Sequence, residues 1–143
     1  MDKHVKDLYV NCDLGVLTNL NGQLANSVIF TNKDNTLLRW HIFDNSGAVV
    51  DLSSGTFELI IGSSYNDVIL TIPNSGFVSA DWASYSLANG RISCRVNFGD
   101  SAITNFMSDA ISEPIYGSLW ATITGKRYLL CQFEGVIKNT IRS

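Results

Sequence analysis

From residue 36 onward, apolar side chains recur at every second position, and Gly or Asn/Asp/Gly clusters interrupt them at short intervals. A period of two puts alternate side chains on opposite faces of an extended chain, so this pattern predicts strands. Leu38, Trp40 and Ile42 share one face of a strand over 36–43, which leaves Arg39 and His41 on the opposite, solvent-facing side. Asp44-Asn45-Ser46-Gly47 follows as a turn, with the Asp44 side chain capping it and Ala48-Val49-Val50 as the returning strand. Phe57, Leu59 and Ile61 mark a strand that ends at Gly62 and turns Glu58 outward. Val68, Leu70 and Ile72 mark another, stopped by Pro73 and turned by Asn74-Ser75-Gly76.

Residues 79–88 read as a short connection, and Asn89-Gly90 is a turn signal. Arg91 to Phe98 then alternates cleanly, with Ile92, Cys94, Val96 and Phe98 inward. Ser101 to Met107 is expected to continue the meander, and Ser108 to Gly117, which contains Pro114, to form a longer loop. Residues 119–123 and 127–133 are strands joined by Thr124-Gly125-Lys126, and Gly135 to Arg142 carries a last one. Seven to nine short strands predict an all-β domain, an immunoglobulin-like antiparallel β-sandwich, over residues 25–143. The first 24 residues differ: asparagines punctuate them, and they read as an extended N-terminal arm that gains order by pairing with a neighbouring chain. Only Ser27 to Thr31, next to that arm, has a strand pattern.

Composition narrows the function. Ten Lys and Arg against thirteen Asp and Glu give a net charge of −3, which argues against nucleic acid as the main ligand. No apolar run approaches the ~20 residues of a membrane span. Asp7, Asn11 and Asp13 interrupt the apolar stretch that a signal peptide would need, so the chain is expected to stay, at least initially, inside a cell. Only 16% of residues are charged, while Ser, Thr and Asn make up about a quarter. Cys12, Cys94 and Cys131 have no metal or redox spacing and read as reduced thiols, so neither a metal nor a cofactor is expected.

The inventory for catalysis is thin. His41 is the one histidine inside the sandwich region, and no G-x-S-x-G elbow surrounds a serine. A small hydrolase using His41 would need a nucleophile that the sequence does not mark, so the chain is expected not to be an enzyme. Four aromatics in or near the less regular segments, Trp82, Tyr85, Tyr116 and Trp120, are candidate contacts for a protein partner or for a host glycan, since flat rings anchor interfaces and stack on sugars. Trp40 belongs to the core. Lys126, Arg127, Lys138 and Arg142 are a candidate basic edge for an acidic protein patch.

The order of these features is more specific than any one of them. The run Val28-Ile29-Phe30-Thr31, the polar break at Lys33-Asp34, and Leu38-Arg39-Trp40-His41-Ile42-Phe43-Asp44-Asn45-Ser46-Gly47-Ala48-Val49-Val50-Asp51-Leu52-Ser53 resemble the N-terminal immunoglobulin-like domain of upper-baseplate proteins of tailed bacteriophages. The strand Val68 to Ile72, Trp82, Asn89-Gly90-Arg91, the Gly125 hairpin and Gly135-Val136-Ile137 extend the resemblance over residues 25–142. It implies a virion protein of the tail or baseplate, assembled in the host cytoplasm. Such an adaptor has no enzymatic activity or cofactor, and holds a fibre or receptor-binding protein through contacts with other phage structural proteins. A homo-oligomer, a trimer or ring, would suit closed virion symmetry. Chains of that family usually continue into helices and further domains, whereas this one ends at Ser143, which also suits a free-standing tail, collar or capsid-decoration subunit. The alternative from another class is a carbohydrate-binding module for a host surface glycan.

Overall fold

The computed structural model describes residues 5–19, 28–31, 35–64, 66–77, 87–108 and 110–138. Among these residues the chain forms nine strands: β1 (Val5–Asn11), β2 (Val16–Thr18), β3 (Val28–Thr31), β4 (Asn35–Phe43), β5 (Thr56–Ser64), β6 (Asp67–Ile72), β7 (Arg91–Asn97), β8 (Ser112–Ile123) and β9 (Lys126–Lys138). They build two sheets, one of four strands in the order β2-β1-β4-β7 and one of five in the order β3-β9-β8-β5-β6. The architecture is the expected all-β sandwich. Both sheets are mixed rather than purely antiparallel, because β1 runs parallel to β4 and β3 parallel to β9.

The inner faces come from the alternating positions. Leu38, Trp40 and Ile42 of β4 and Ile92, Cys94 and Val96 of β7 are fully buried, as are Leu59 of β5, Ile115 and Leu119 of β8 and Ile137 of β9. Trp40 crosses to the other sheet and meets Phe133, ring centroids 5.9 Å apart. Phe133 lies over Gly117, its cross-strand partner, and a Cβ at Gly117 would overlap the ring. The missing side chain thus makes room for the aromatic contact that ties the sheets together. Among the described residues the buried Trp40 indole N–H has no hydrogen-bond partner of ordinary geometry. Burial pushes the Cys94 thiol up to about 12, which weak attraction from Trp40 opposes without offsetting, and burial raises Cys131 to about 12 as well. Cys12 is half-buried, and all three cysteines are free, as expected.

Several expectations are corrected. Residues 5–18 form two strands joined by a turn at 12–15 and do not reach out as an arm: β1 lies inside the four-stranded sheet between β2 and β4, and Leu8, Val10 and Leu17 are buried. Their apolar positions alternate, and β4 presents an edge that they complete. Ala48-Val49-Val50 is not a strand; only Val49 bridges back to Phe43, and its side chain is exposed. β5 does not stop at Gly62 but runs on to Ser64 through a register shift against β6. Val68 is exposed, while Leu70 and Ile72 of the same strand pack against the core.

Ser101 to Met107 is an α-helix, α1 (Ser101–Met107), rather than a strand. The Asp100 side chain accepts from the Ala102 N–H at 2.8 Å, and Ile103 and Met107, four residues apart, bury one helical face. The loop expected over Ser108 to Gly117 is largely strand, because Pro114 falls in β8 beyond the last pairing of β5, Gly62 with Tyr116. On that side no ladder requires the N–H that proline lacks. Finally, 127–133 and the separate strand expected from Gly135 are one strand, β9, in which a register shift opposite Leu119 and Trp120 makes Leu130 the extra residue.

Candidate functional site

The β8–β9 hairpin turns through Thr124 and Gly125, with φ of 53° and 79°. Two consecutive positive φ angles define a two-residue turn whose twist matches that of the strands it joins. This tight turn fixes the register, pairing Thr122 with Arg127 and, just before the bulge, Trp120 with Leu129. On the other side of β8, Trp120 pairs with Glu58 of β5. Alternation sends all these side chains to the outer face of the five-stranded sheet, where Arg127 and Glu58 flank the indole from the two neighbouring strands. The Arg127 guanidinium lies over the Trp120 ring, 4.1 Å from its centroid, and its Nη2 donates to Glu58 Oε1 at 2.7 Å.

Beside this assembly is a cavity of about 230 Å³ lined by Thr56, Phe57, Glu58, Pro73, Asn74, Trp120, Thr122 and Arg127. Its floor is held by a tertiary hydrogen bond: the Phe57 N–H donates to Asn74 Oδ1 at 2.9 Å. That bond leaves the Asn74 amide N–H groups for the cavity. The site therefore joins Trp120, expected as an aromatic contact, to Arg127, expected as part of a basic edge.

The other candidates lie elsewhere. Tyr116 is half-buried on the same outer face, four residues from Trp120 along β8, about 13 Å at ~3.3 Å per residue. Lys126 sits at the hairpin tip and Lys138 at the far end of β9, about 40 Å away by the same rise, so the two ends do not form one basic patch. Trp82, Tyr85 and Arg142 lie outside the described residues.

A second cluster, which the sequence reading missed, occupies the outer face of the four-stranded sheet. The parallel pairing of β1 with β4 sets Asp7 beside Arg39 and Tyr9 beside His41. Arg39 donates from Nε and Nη2 to the two Asp7 oxygens, both at 2.8 Å, and His41 Nε2 lies 3.0 Å from Asp7 Oδ1. The His41 ring stacks on Tyr9 with centroids 4.5 Å apart. Burial alone would raise the Asp7 carboxyl, but the hydrogen bonds and charges of Arg39 and His41 outweigh it and hold the group below the usual carboxylate range. His41 is on the outward face, as expected, yet its side chain is only 18% exposed because it is embedded in this cluster. The signal was the alternation Leu8 and Val10 against Asp7 and Tyr9, which places Asp7 on a strand's polar face.

Asp44 caps its turn as expected, accepting from the Ser46 hydroxyl at 2.6 Å and from the Ser46 and Ala48 N–H groups. The Ser46 hydroxyl and then the Ala48 N–H lower its carboxyl below the ordinary value.

No family model matches the chain, and no curated protein matches it in sequence. Among solved structures the fold is similar to the N-terminal domain of ORF48 of phage TP901-1, with a TM-score of 0.51 and 12% sequence identity. The alignment covers 95% of this chain and 98% of that one. At this identity the likeness is one of fold.

Proposed function

We propose that this chain is a structural subunit of a tailed-phage particle, a non-enzymatic adaptor of the tail or baseplate that works through contacts with other phage structural proteins. The observation that carries the reading is the end-to-end correspondence with a phage domain, in which almost nothing of either chain is left over. The sequence resemblance to upper-baseplate domains, drawn from turn and strand order alone, points the same way. In this role the adaptor holds a fibre or receptor-binding protein, as one copy in a trimer or ring.

The test is localisation. Particles are purified from cells producing a phage that carries this sequence, analysed by mass spectrometry, and labelled with gold-conjugated antibody raised against the chain. The expected result is the chain in the particles with label at the distal tail. Its absence from purified particles would overturn the virion reading, and label confined to the capsid would overturn the tail placement.

A further inference from the structure

The cavity beside Trp120 has a chemistry of its own, which the virion reading does not use. Its volume of about 230 Å³ lies below the ~300–1,000 Å³ of pockets that enclose drug-sized ligands, so it has room for one small ring. Its charges cancel, because Arg127 and Glu58 are paired across its wall. An anionic ligand would meet the Glu58 carboxylate there, and a cationic one would meet the Arg127 guanidinium. A neutral ligand with adjacent hydroxyls meets neither penalty. Such hydroxyls accept from the guanidinium N–H groups that Glu58 does not use and donate to the second Glu58 oxygen, so the ion pair need not break. The Asn74 amide N–H groups and the Thr56 and Thr122 hydroxyls extend the polar wall, while Pro73 and Trp120 supply an apolar one.

From this donor and acceptor set we infer that the cavity is a subsite for one neutral sugar ring, a terminal or branching residue of a surface polysaccharide. Recognition differs from what the aromatic residue alone would suggest. Arg127 covers one face of the indole, so the sugar meets the stacked guanidinium and the polar groups around it instead of that ring face. The inference goes beyond the proposed virion role and is tested separately from it.

The experiment is an NMR titration of the full chain with the methyl glycosides of neutral hexoses, and with a methyl hexuronide as the anionic control. It reads the Trp120 indole N–H, the Asn74 side-chain amide and the Arg127 Nε–H. A neutral hexoside is expected to give saturable shifts of these signals, with a Kd in the millimolar range. The hexuronide should bind more weakly. Asn74→Asp and Glu58→Gln should each weaken the neutral ligand by tenfold or more, as loss of a hydrogen bond involving a charged or buried partner does. Arg127→Lys, which keeps the charge but loses the planar fork, reports on the site without emptying it and should weaken binding less than Arg127→Met. Absence of saturable shifts with every neutral hexoside overturns the inference. So does tighter binding of the hexuronide, or unchanged affinity in both Glu58→Gln and Arg127→Met variants whose spectra remain dispersed.

Discussion

Each outer face of the sandwich carries an arginine–carboxylate pair, and the two pairs are held differently. On the four-stranded sheet Asp7 receives two bonds from Arg39 and a contact from His41, whose ring rests on Tyr9. On the five-stranded sheet Arg127 gives Glu58 one bond and lies over Trp120 beside an open cavity, with 51% of its side chain exposed against 30% for Arg39. A two-pronged bond between adjacent strands is geometrically specific and fixes their register. A single bond at the surface gains little and leaves donors for something else. The first pair acts as a strut between β1 and β4, and the second as a binding element.

The largest test of this contrast removes the strut's own strand. Deleting residues 1–18 takes Leu8, Val10 and Leu17 out of the core, at about 1.5–3 kcal/mol for each buried side chain. The sum is comparable to the whole stability of a domain, about 5–15 kcal/mol. The truncated chain should show no cooperative thermal transition by circular dichroism; a cooperative melt would return these residues to the status of an arm. Next in size is Gly117→Ala, which pushes a methyl group into the Phe133 ring and should lower the urea-unfolding free energy by about 1–3 kcal/mol. An effect no larger than that of a surface change would mean that Phe133 moves aside without loss.

Breaking the strut itself costs less. Asp7→Asn should lose at most about 1 kcal/mol at neutral pH, since the carboxylate is partly solvated. Its signature is a pH dependence. Because the folded-state pKa of Asp7 lies below the unfolded value of about 3.9, its contribution is fully present above that value and is lost as pH falls through the folded one. The difference in urea midpoint between wild type and Asp7→Asn should therefore shrink toward zero on acidification, and a constant difference would argue for a packing effect instead. Smallest of all, Glu58→Gln should change stability by less than about 0.5 kcal/mol, and a larger loss would make the second pair a strut as well.

The parts legible in the sequence were those in which one strand declares its own face. Leu38, Trp40 and Ile42 do so at three alternating positions, Ile92, Cys94, Val96 and Phe98 at four, and Gly125 announces a tight turn. Residues 5–10 give only Leu8 and Val10 before asparagines intervene, and the β1–β4 pairing that buries them is a tertiary choice that local periodicity cannot express. Short α1 was hidden because its two buried residues, Ile103 and Met107, cover less than two turns. The candidate site was half legible. Trp120 and Arg127 stood out by type, but their meeting depends on the hairpin register that sets Thr122 against Arg127 and Trp120 against Leu129, and the third member, Glu58, joins only because β5 pairs with β8.

The parallel pairing of β3 with β9 also bears on how fast the chain reaches this structure. β8 and β9 are joined by a two-residue turn and can zip at once, within the microseconds typical of hairpins. Val28 meets Gly135 only after a loop of more than a hundred residues has closed, and Val5 meets Leu37 across a shorter but still non-local span. Contacts so distant in sequence delay the transition state, so folding on the millisecond-to-second scale of high-contact-order β proteins is expected. The hairpin that carries Trp120 and Arg127 is expected to form early, and the strand that closes the far edge of its sheet to arrive last.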